Sequence, residues 1–252
     1  MARAFRYLYR LPWLLVHLLL GLPVTLVLLM RPWADWRWRG QRLDEAVVRW
    51  WSGGLLRVFG FRLRRIGQPL DGGVLMVANH VSWVDIEMIH SQKLVGFVAK
   101  AEIAHWPLVG WMASRGHTIF HQRGSNESLG GVMDEMGARL RQARPVAVFP
   151  EGRTRDGHAV GPFHARIFTA AVEAGVPVQP VALRYGRDGA AQTVVAFGPK
   201  ESFVANFVRL LGEPSRDAEV HFLEPIDCTA MEGRKQIAEL ARHRVVAALQ
   251  AR

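Results

Sequence analysis

Cysteine is nearly absent. The 252-residue chain holds one, Cys228, which excludes an intramolecular disulfide and any metal site built on several thiolates, and fits a reducing compartment. No serine sits in a G-x-S-x-G elbow, so a strand-to-helix serine nucleophile has no place here. No H-E-x-x-H segment of the zinc-protease kind occurs. Repeats and low-complexity tracts are missing as well. Acidic residues are scarce beside basic ones, 22 against 32, for a formal net charge of +10. That excess suits an anionic partner: nucleic acid, anionic headgroups or a phosphorylated substrate.

What the chain does have is tryptophan at one end. Six of its nine (Trp13, Trp33, Trp36, Trp38, Trp50, Trp51) fall before residue 52. They bracket residues 11–30, "LPWLLVHLLLGLPVTLVLLM", a charge-free run of the length that crosses a bilayer. Arg3, Arg6 and Arg10 precede it, and Arg31, Arg37 and Arg39 follow. A cleaved leader is the competing reading, but the run is longer than such a leader's apolar region, and "RPWADWRWRG" is a poor cleavage site. Arginine on both sides gives no vote on orientation. Pro23 would kink the helix and hold it in one leaflet, so spanning and monotopic anchors both stay open. Residues 43–63 read as an amphipathic helix lying in the interface. The expectation is a membrane-anchoring helical segment over 1–65 and a soluble domain over 66–252, at the inner membrane with the domain on the cytoplasmic side. Half the chain is hydrophobic, enough for a full core. Much of the positive charge flanks the apolar run and no nucleic-acid module is recognisable, so nucleic acid is not the expected partner.

Beyond residue 70, short apolar runs alternate with helical periodicity. Residues 73–80, 94–100, 117–121, 145–152, 176–185, 192–198 and 218–225 read as strands. Segments at 82–90, 126–143, 164–175 and 232–252 read as helices, the third stopped by Gly175. This alternation implies an α/β fold, a largely parallel sheet flanked by helices. Ligands bind such sheets beyond the carboxyl ends of the strands. The polar residues closing the apolar runs therefore share one rim: Asn79 and His80, Lys100 and Glu102, His121 and Arg123, Glu151 and Arg153.

On that rim "NHVSWVD" places His80 at a strand end and Asp85 in the first turn of the next helix. One reading is structural: Ser82 and Asp85 make a capping box that satisfies free amides. The other is chemical: a carboxylate on one imidazole nitrogen fixes the tautomer and raises the basicity of the other, which can then take a proton from an attacking alcohol. The spacing alone is weakly specific.

Four segments together are far more specific. Asn79-His80-x4-Asp85, then Lys100-Ala-Glu102-Ile with Pro107, Gly110 and "TIFHQRG" closing on Arg123, then Phe149-Pro150-Glu151-Gly152, then "VPVQPVAL" around Pro180, resemble in order the four blocks of the glycerolipid acyltransferases, which include 1-acyl-sn-glycerol-3-phosphate acyltransferase. The likeness covers roughly residues 70 to 190, and the amino-terminal apolar segment is similar to members of that family too. It implies His80 as general base and Asp85 as its orienter. Arg123 would hold the acceptor phosphate through its planar fork, with Lys100 adding charge. Glu151, Gly152 and Arg153 would shape the acceptor site, Glu151 by bonding a glycerol hydroxyl or by orienting a neighbouring arginine. Backbone amides near Gly152 or at the Ser82 helix start are the candidates for receiving the oxyanion.

The partners implied are a lysophospholipid acceptor, the membrane, and an acyl thioester donor that is acyl-CoA or acyl-carrier protein, with no cofactor and no metal. The expected product is phosphatidic acid, by acylation of the sn-2 hydroxyl. The chain departs from the family at Arg153, where threonine is common, at His121-Gln122, where Ile-Asp is common, and at His164, where lysine is frequent. These positions line the expected acceptor pocket, so another lyso-lipid, lyso-ornithine lipid among them, is the alternative acceptor. A non-catalytic scaffold of the same fold is the remaining one.

Overall fold

The computed structural model describes residues 2–30, 33–38, 40–106, 109–122 and 126–251. Helix α1 (Ala2–Val16) runs through one π-helical turn (His17–Gly21) into α2 (Leu22–Leu28). The three form one apolar rod of 27 residues, ~40 Å long at 1.5 Å per residue. By length and composition it could cross a membrane. Pro23 lies in the first turn of α2, where a missing N–H is tolerated; the break in the helix is the π turn before it. A short pair, β1 (Arg37–Trp38) and β2 (Gln41–Arg42), leads into α3 (Leu43–Val58).

Two expectations for this end are corrected. Residues 43–63 are not one interfacial helix. Helix α3 buries Val47, Val48, Trp51, Leu55 and Leu56, then the chain reverses at Gly60, whose φ is +81°, into strand β3 (Phe61–Ile66). That strand lies across the expected 65/66 boundary and belongs to the central sheet. Nor are Arg6 and Arg10 simply flanks of an apolar run. Arg6 Nε donates to the Gly212 carbonyl at 2.6 Å, and Arg10 Nη1 to those of Leu211 and Glu213 at 3.0 and 2.7 Å. Arg10 is buried. Midway along the rod, the His17 ring stacks on Trp51 and lies so close to Gly54 that an added Cβ there would sit 2.5 Å from it.

The remaining elements follow in order: β4 (Leu75–Ala78), α4 (Val84–His90), β5 (Gly96–Lys100), α5 (Val109–Arg115), β6 (Ile119–His121), α6 (Asn126–Arg141), β7 (Val146–Val148), α7 (Thr169–Ala174), β8 (Val178–Tyr185), α8 (Gln192–Val195), α9 (Phe203–Leu211), β9 (Arg216–Phe222) and α10 (Arg234–Gln250). The sheet order is β3-β9-β8-β4-β7-β5-β6. Strands β8, β4, β7, β5 and β6 are parallel; β9 is antiparallel to β8, and β3 parallel to β9. The expected strand at 192–198 is instead helix α8 and an extended exit. The chain crosses back to the rim it left, which is why β9 starts there and runs the other way.

Side chains of β4 alternate between two cores. Met76 and Ala78 face one shared with α3, α4 and α9; Leu75 and Val77 face one shared with α6 and α10. Each fully buried Val, Leu or Met contributes about 1.5–3 kcal/mol relative to exposure. Pro180 sits inside β8 without breaking it. Its carbonyl accepts from Leu223 N at 3.0 Å on the β9 side, and its missing N–H falls on that side too, one residue before the ladder to β9 starts at Val181.

Candidate active site

The carboxyl ends of the five parallel strands put Asn79–His80, Phe149–Glu151, Lys100, His121 and Tyr185 along one rim. The chain leaves β4 cleanly because Asn79 continues the ladder with its side chain: Nδ2 donates to Leu183 O at 3.0 Å, and Oδ1 accepts from Leu183 N at 2.9 Å. His80 then turns its ring towards Asp85, with Nδ1 2.8 Å from Oδ2. Val81 N and Ser82 N donate to the same oxygen at 2.7 and 2.9 Å. Ser82 Oγ in turn accepts from Val84 N at 3.1 Å. Asp85 therefore closes the turn at the helix start and grips the imidazole, while Ser82 Oγ caps Val84 N rather than Asp85 N, so the expected capping box is only half formed.

Asp85 is fully buried, and each of its partners is a donor. Facing a carboxylate, His80 Nδ1 carries the proton, which leaves Nε2 with the free lone pair. The fourth donor is one the sequence did not single out. Tyr185, at the end of β8 and fully buried, donates its hydroxyl to Asp85 Oδ1 at 2.5 Å. Burial, then the charge of Asp85, pushes the phenol well above its ordinary range, so it stays a donor. The one local signal was a hydroxyl-bearing aromatic at the carboxyl end of a strand.

The Phe-Pro-Glu-Gly segment braces the histidine. Phe149 stacks on the His80 ring, centroids 3.8 Å apart and planes 10° from parallel. The row continues through Phe97 to His90, whose burial lowers its pKa to about 4, so that imidazole is neutral at working pH. Glu151 is buried and turned inward: Oε1 accepts from His80 N at 2.9 Å, and Oε2 from Gly161 N at 2.7 Å and Arg155 Nε at 3.1 Å. Burial raises its pKa, and the amides of Gly161 and His80 partly offset this. Both of its oxygens are thus engaged within the protein, and one of their partners is a neighbouring arginine, Arg155. Arg155 N also donates to His80 O at 2.7 Å.

Gly152 takes φ +72°, and the His164 ring lies 3.4 Å from where its Cβ would be; His164 therefore belongs to this rim. Of the amides at the two places expected to receive an oxyanion, four are engaged within the protein: Val81 and Ser82 on Asp85, Val84 on Ser82, and Gly152 on Phe149 O at 3.0 Å. Arg153 and Lys100 are exposed. Lys100 is registered beside His121 where β5 and β6 end. Arg123 and Pro107 lie outside the described residues. The structure thus unites the first and third blocks around His80 and places Lys100 further along the rim. Among the described residues no cluster of His, Cys, Asp and Glu could hold a metal ion.

The arrangement can take a proton at His80 Nε2 and hold the resulting imidazolium against Asp85. Comparison with known proteins is in keeping with this. The Acyltransferase family model matches residues 62–184. A lyso-ornithine lipid O-acyltransferase of Pseudomonas aeruginosa is 36% identical over 236 residues, 92% of this chain and 90% of that protein. A 1-acyl-sn-glycerol-3-phosphate acyltransferase of Neisseria gonorrhoeae is 36% identical over 143 residues, 56% of each. In fold, the chain is similar to the crystal structure of the 1-acyl-sn-glycerophosphate acyltransferase PlsC from Thermotoga maritima, with a TM-score of 0.77, 19% identity, and 99% and 97% of the two chains covered.

Proposed function

The chain belongs to the acyltransferase family, and on that premise we propose that it transfers a fatty acyl group from a thioester to the free hydroxyl of a lyso-ornithine lipid. The observation that carries this acceptor is the extent of likeness. Relatives named for that lipid, from Pseudomonas aeruginosa and Brucella abortus, match over 92% and 77% of this chain, well beyond residues 62–184. Ornithine is an amino acid, so its headgroup offers charge of both signs rather than a phosphate. Exposed Arg153 and His164 at the rim suit its anionic part, with Arg123 and Lys100 proposed to add charge. Lysophosphatidate is the second reading, favoured by the Neisseria relative.

In the proposed step His80 Nε2 takes the acceptor's hydroxyl proton as the oxygen attacks the thioester carbonyl. The O–H bond breaks and a C–O bond forms. The C–S bond then breaks, and the imidazolium returns the proton to the leaving thiolate. Acyl-CoA and acyl-carrier protein both meet this chemistry, and no resident cofactor is required. The apolar rod keeps the enzyme beside its lipid substrate, at the inner membrane with the sheet on the cytoplasmic side.

A panel tests the acceptor. Purified protein with one labelled acyl thioester is given lyso-ornithine lipid, lysophosphatidate or lysophosphatidylcholine. Transfer to lyso-ornithine lipid at least tenfold above the others is expected. Preference for lysophosphatidate would replace the acceptor and leave the step intact.

Tyr185→Phe tests the buried hydroxyl. Without that donor Asp85 keeps three, from His80, Val81 and Ser82, and the ring it orients is held less firmly. Loss of one hydrogen bond of about 0.5–1.5 kcal/mol should lower kcat by up to about tenfold, with acceptor KM little changed. An unchanged kcat would mean that Tyr185 only packs.

A further inference from the structure

Helix α9 turns apolar residues both inward and outward. Its inner face, with Phe203, Asn206, Phe207 and Leu210, packs on the domain. Its outer face carries Val204, 67% exposed, Ala205, and Val208, 50% exposed. An ordinary surface helix puts charge there; a helix apolar on every side belongs in a core or in lipid. The only charged residue in α9 is Arg209, and its guanidinium is occupied by Glu201 and the Val194 and Ala196 carbonyls.

Two contacts place the rod beside this face. Tyr7 of the apolar rod donates its hydroxyl to Val208 O at 2.9 Å, and Arg10 binds the carbonyls of Leu211, the last residue of α9, and of Glu213 just beyond it. The exposed face of α9 thus lies next to α1, whose Phe5 and Leu8 are 65% and 73% exposed. At its other end Phe203 meets the ring of Trp106, itself 40% exposed, and indoles favour the boundary between lipid and water.

We propose that α9, with Trp106, is a second membrane-embedded element, its Val204–Val208 face immersed in the acyl region of the leaflet that holds the amino-terminal rod. Two immersed elements fix the tilt of the domain where one would leave it free to roll. The same helix is locked to the active site: Trp83, three residues after His80, donates to Asn206 Oδ1 at 3.1 Å and packs on Phe207. Immersion of α9 therefore holds the His80 rim at the leaflet surface, where a lipid acceptor reaches it without leaving the membrane.

This inference rests on the membrane reading of the rod, and the experiment separates the two. Cys228 is buried with its pKa raised to about 11, so it stays unlabelled, and full-length Val204→Cys, Val208→Cys, Leu19→Cys and Glu239→Cys variants each carry one environment-sensitive fluorophore. Vesicles of phosphatidylethanolamine and phosphatidylglycerol with brominated acyl chains are then added. Labels at 204 and 208 should be quenched at least half as strongly as the label at 19 in the rod, and the label at 239 on α10 not at all. Quenching at 19 without quenching at 204 and 208 would overturn the proposal and keep the membrane reading. No quenching at 19 would overturn both. A spectral change at 204 that follows protein concentration without vesicles would assign the face to a second copy of the chain, and would overturn the proposal too. In a functional arm, the Val204→Asp/Val208→Asp pair should lose at least tenfold of the transfer to vesicle-borne acceptor but keep transfer to a short-chain acceptor dispersed in water. Equal loss on both would also count against it.

Discussion

His80→Ala is expected to lose about 10²–10⁴-fold in kcat/KM, the usual contribution of a general base, while folding almost normally. The imidazole touches the protein at two places, the Asp85 carboxylate and the face of Phe149. Its removal leaves Asp85 with three donors, from Val81, Ser82 and Tyr185, so the turn stays shut. The bond from His80 N to Glu151 is a backbone bond and survives the substitution. Initial rates with a labelled thioester, taken beside a thermal unfolding curve, decide it. Activity like that of the wild type would remove His80 from the mechanism. An unfolded variant would show that the ring also holds the rim together.

Asp85→Ala is expected to fail differently, losing the fold as well as the chemistry. Three donors then have no acceptor: Val81 N, Ser82 N and the Tyr185 hydroxyl, all in buried residues. Leaving one buried donor unsatisfied costs about 1–3 kcal/mol. Such neighbours are not additive, so a loss of about 3–6 kcal/mol is expected, a large share of the 5–15 kcal/mol typical of whole domains. Asp85→Asn keeps the volume and one acceptor oxygen, so it should recover much of the stability. It should recover little activity, because its amide turns a donor towards a ring nitrogen or towards the tyrosine. Denaturant midpoints for the three proteins, with rates for each, separate the roles. An Asp85→Ala protein as stable as the wild type would show that water replaces the carboxylate.

The dyad and its brace were legible because they are local. A histidine closing an apolar run, an aspartate one turn into the next helix and a Phe-Pro-Glu-Gly at the end of another run all lie at strand ends, and a parallel sheet brings strand ends together. Tyr185 was not legible. Nothing near it in sequence says that its hydroxyl meets a carboxylate one hundred residues away. Arg6 and Arg10 misled for the same reason, since their acceptors lie more than two hundred residues on. Strand β3, "FRLRRI", was hidden by three arginines on an edge strand, where charge guards against pairing with other chains. The run at 192–198 read as a strand because valine pairs favour sheets, but Gln192 ties its start to β8, accepting from Tyr185 N and donating to Leu183 O, and the chain coils instead. Glu151 stood out in the sequence, but its partners did not, because one of its donors, His80 N, lies 71 residues away.

The π turn at residues 17–21 sets a phase. Such a turn holds one residue more than the α-helical turn it replaces, and each residue of an α-helix advances the face by about 100°. Rewinding the same residues as plain α-helix, with none deleted, would spend the extra residue as one further step and rotate α1 against α2 by about that angle. Arg6, Tyr7 and Arg10 would swing away from α9 together, while Thr25 and the rest of α2 kept their places against α3; deleting one residue would instead remove the π turn and leave both faces in phase. The π turn is thus a splice between two docking registers: one matched to α3, the other to the helix beside the His80 rim.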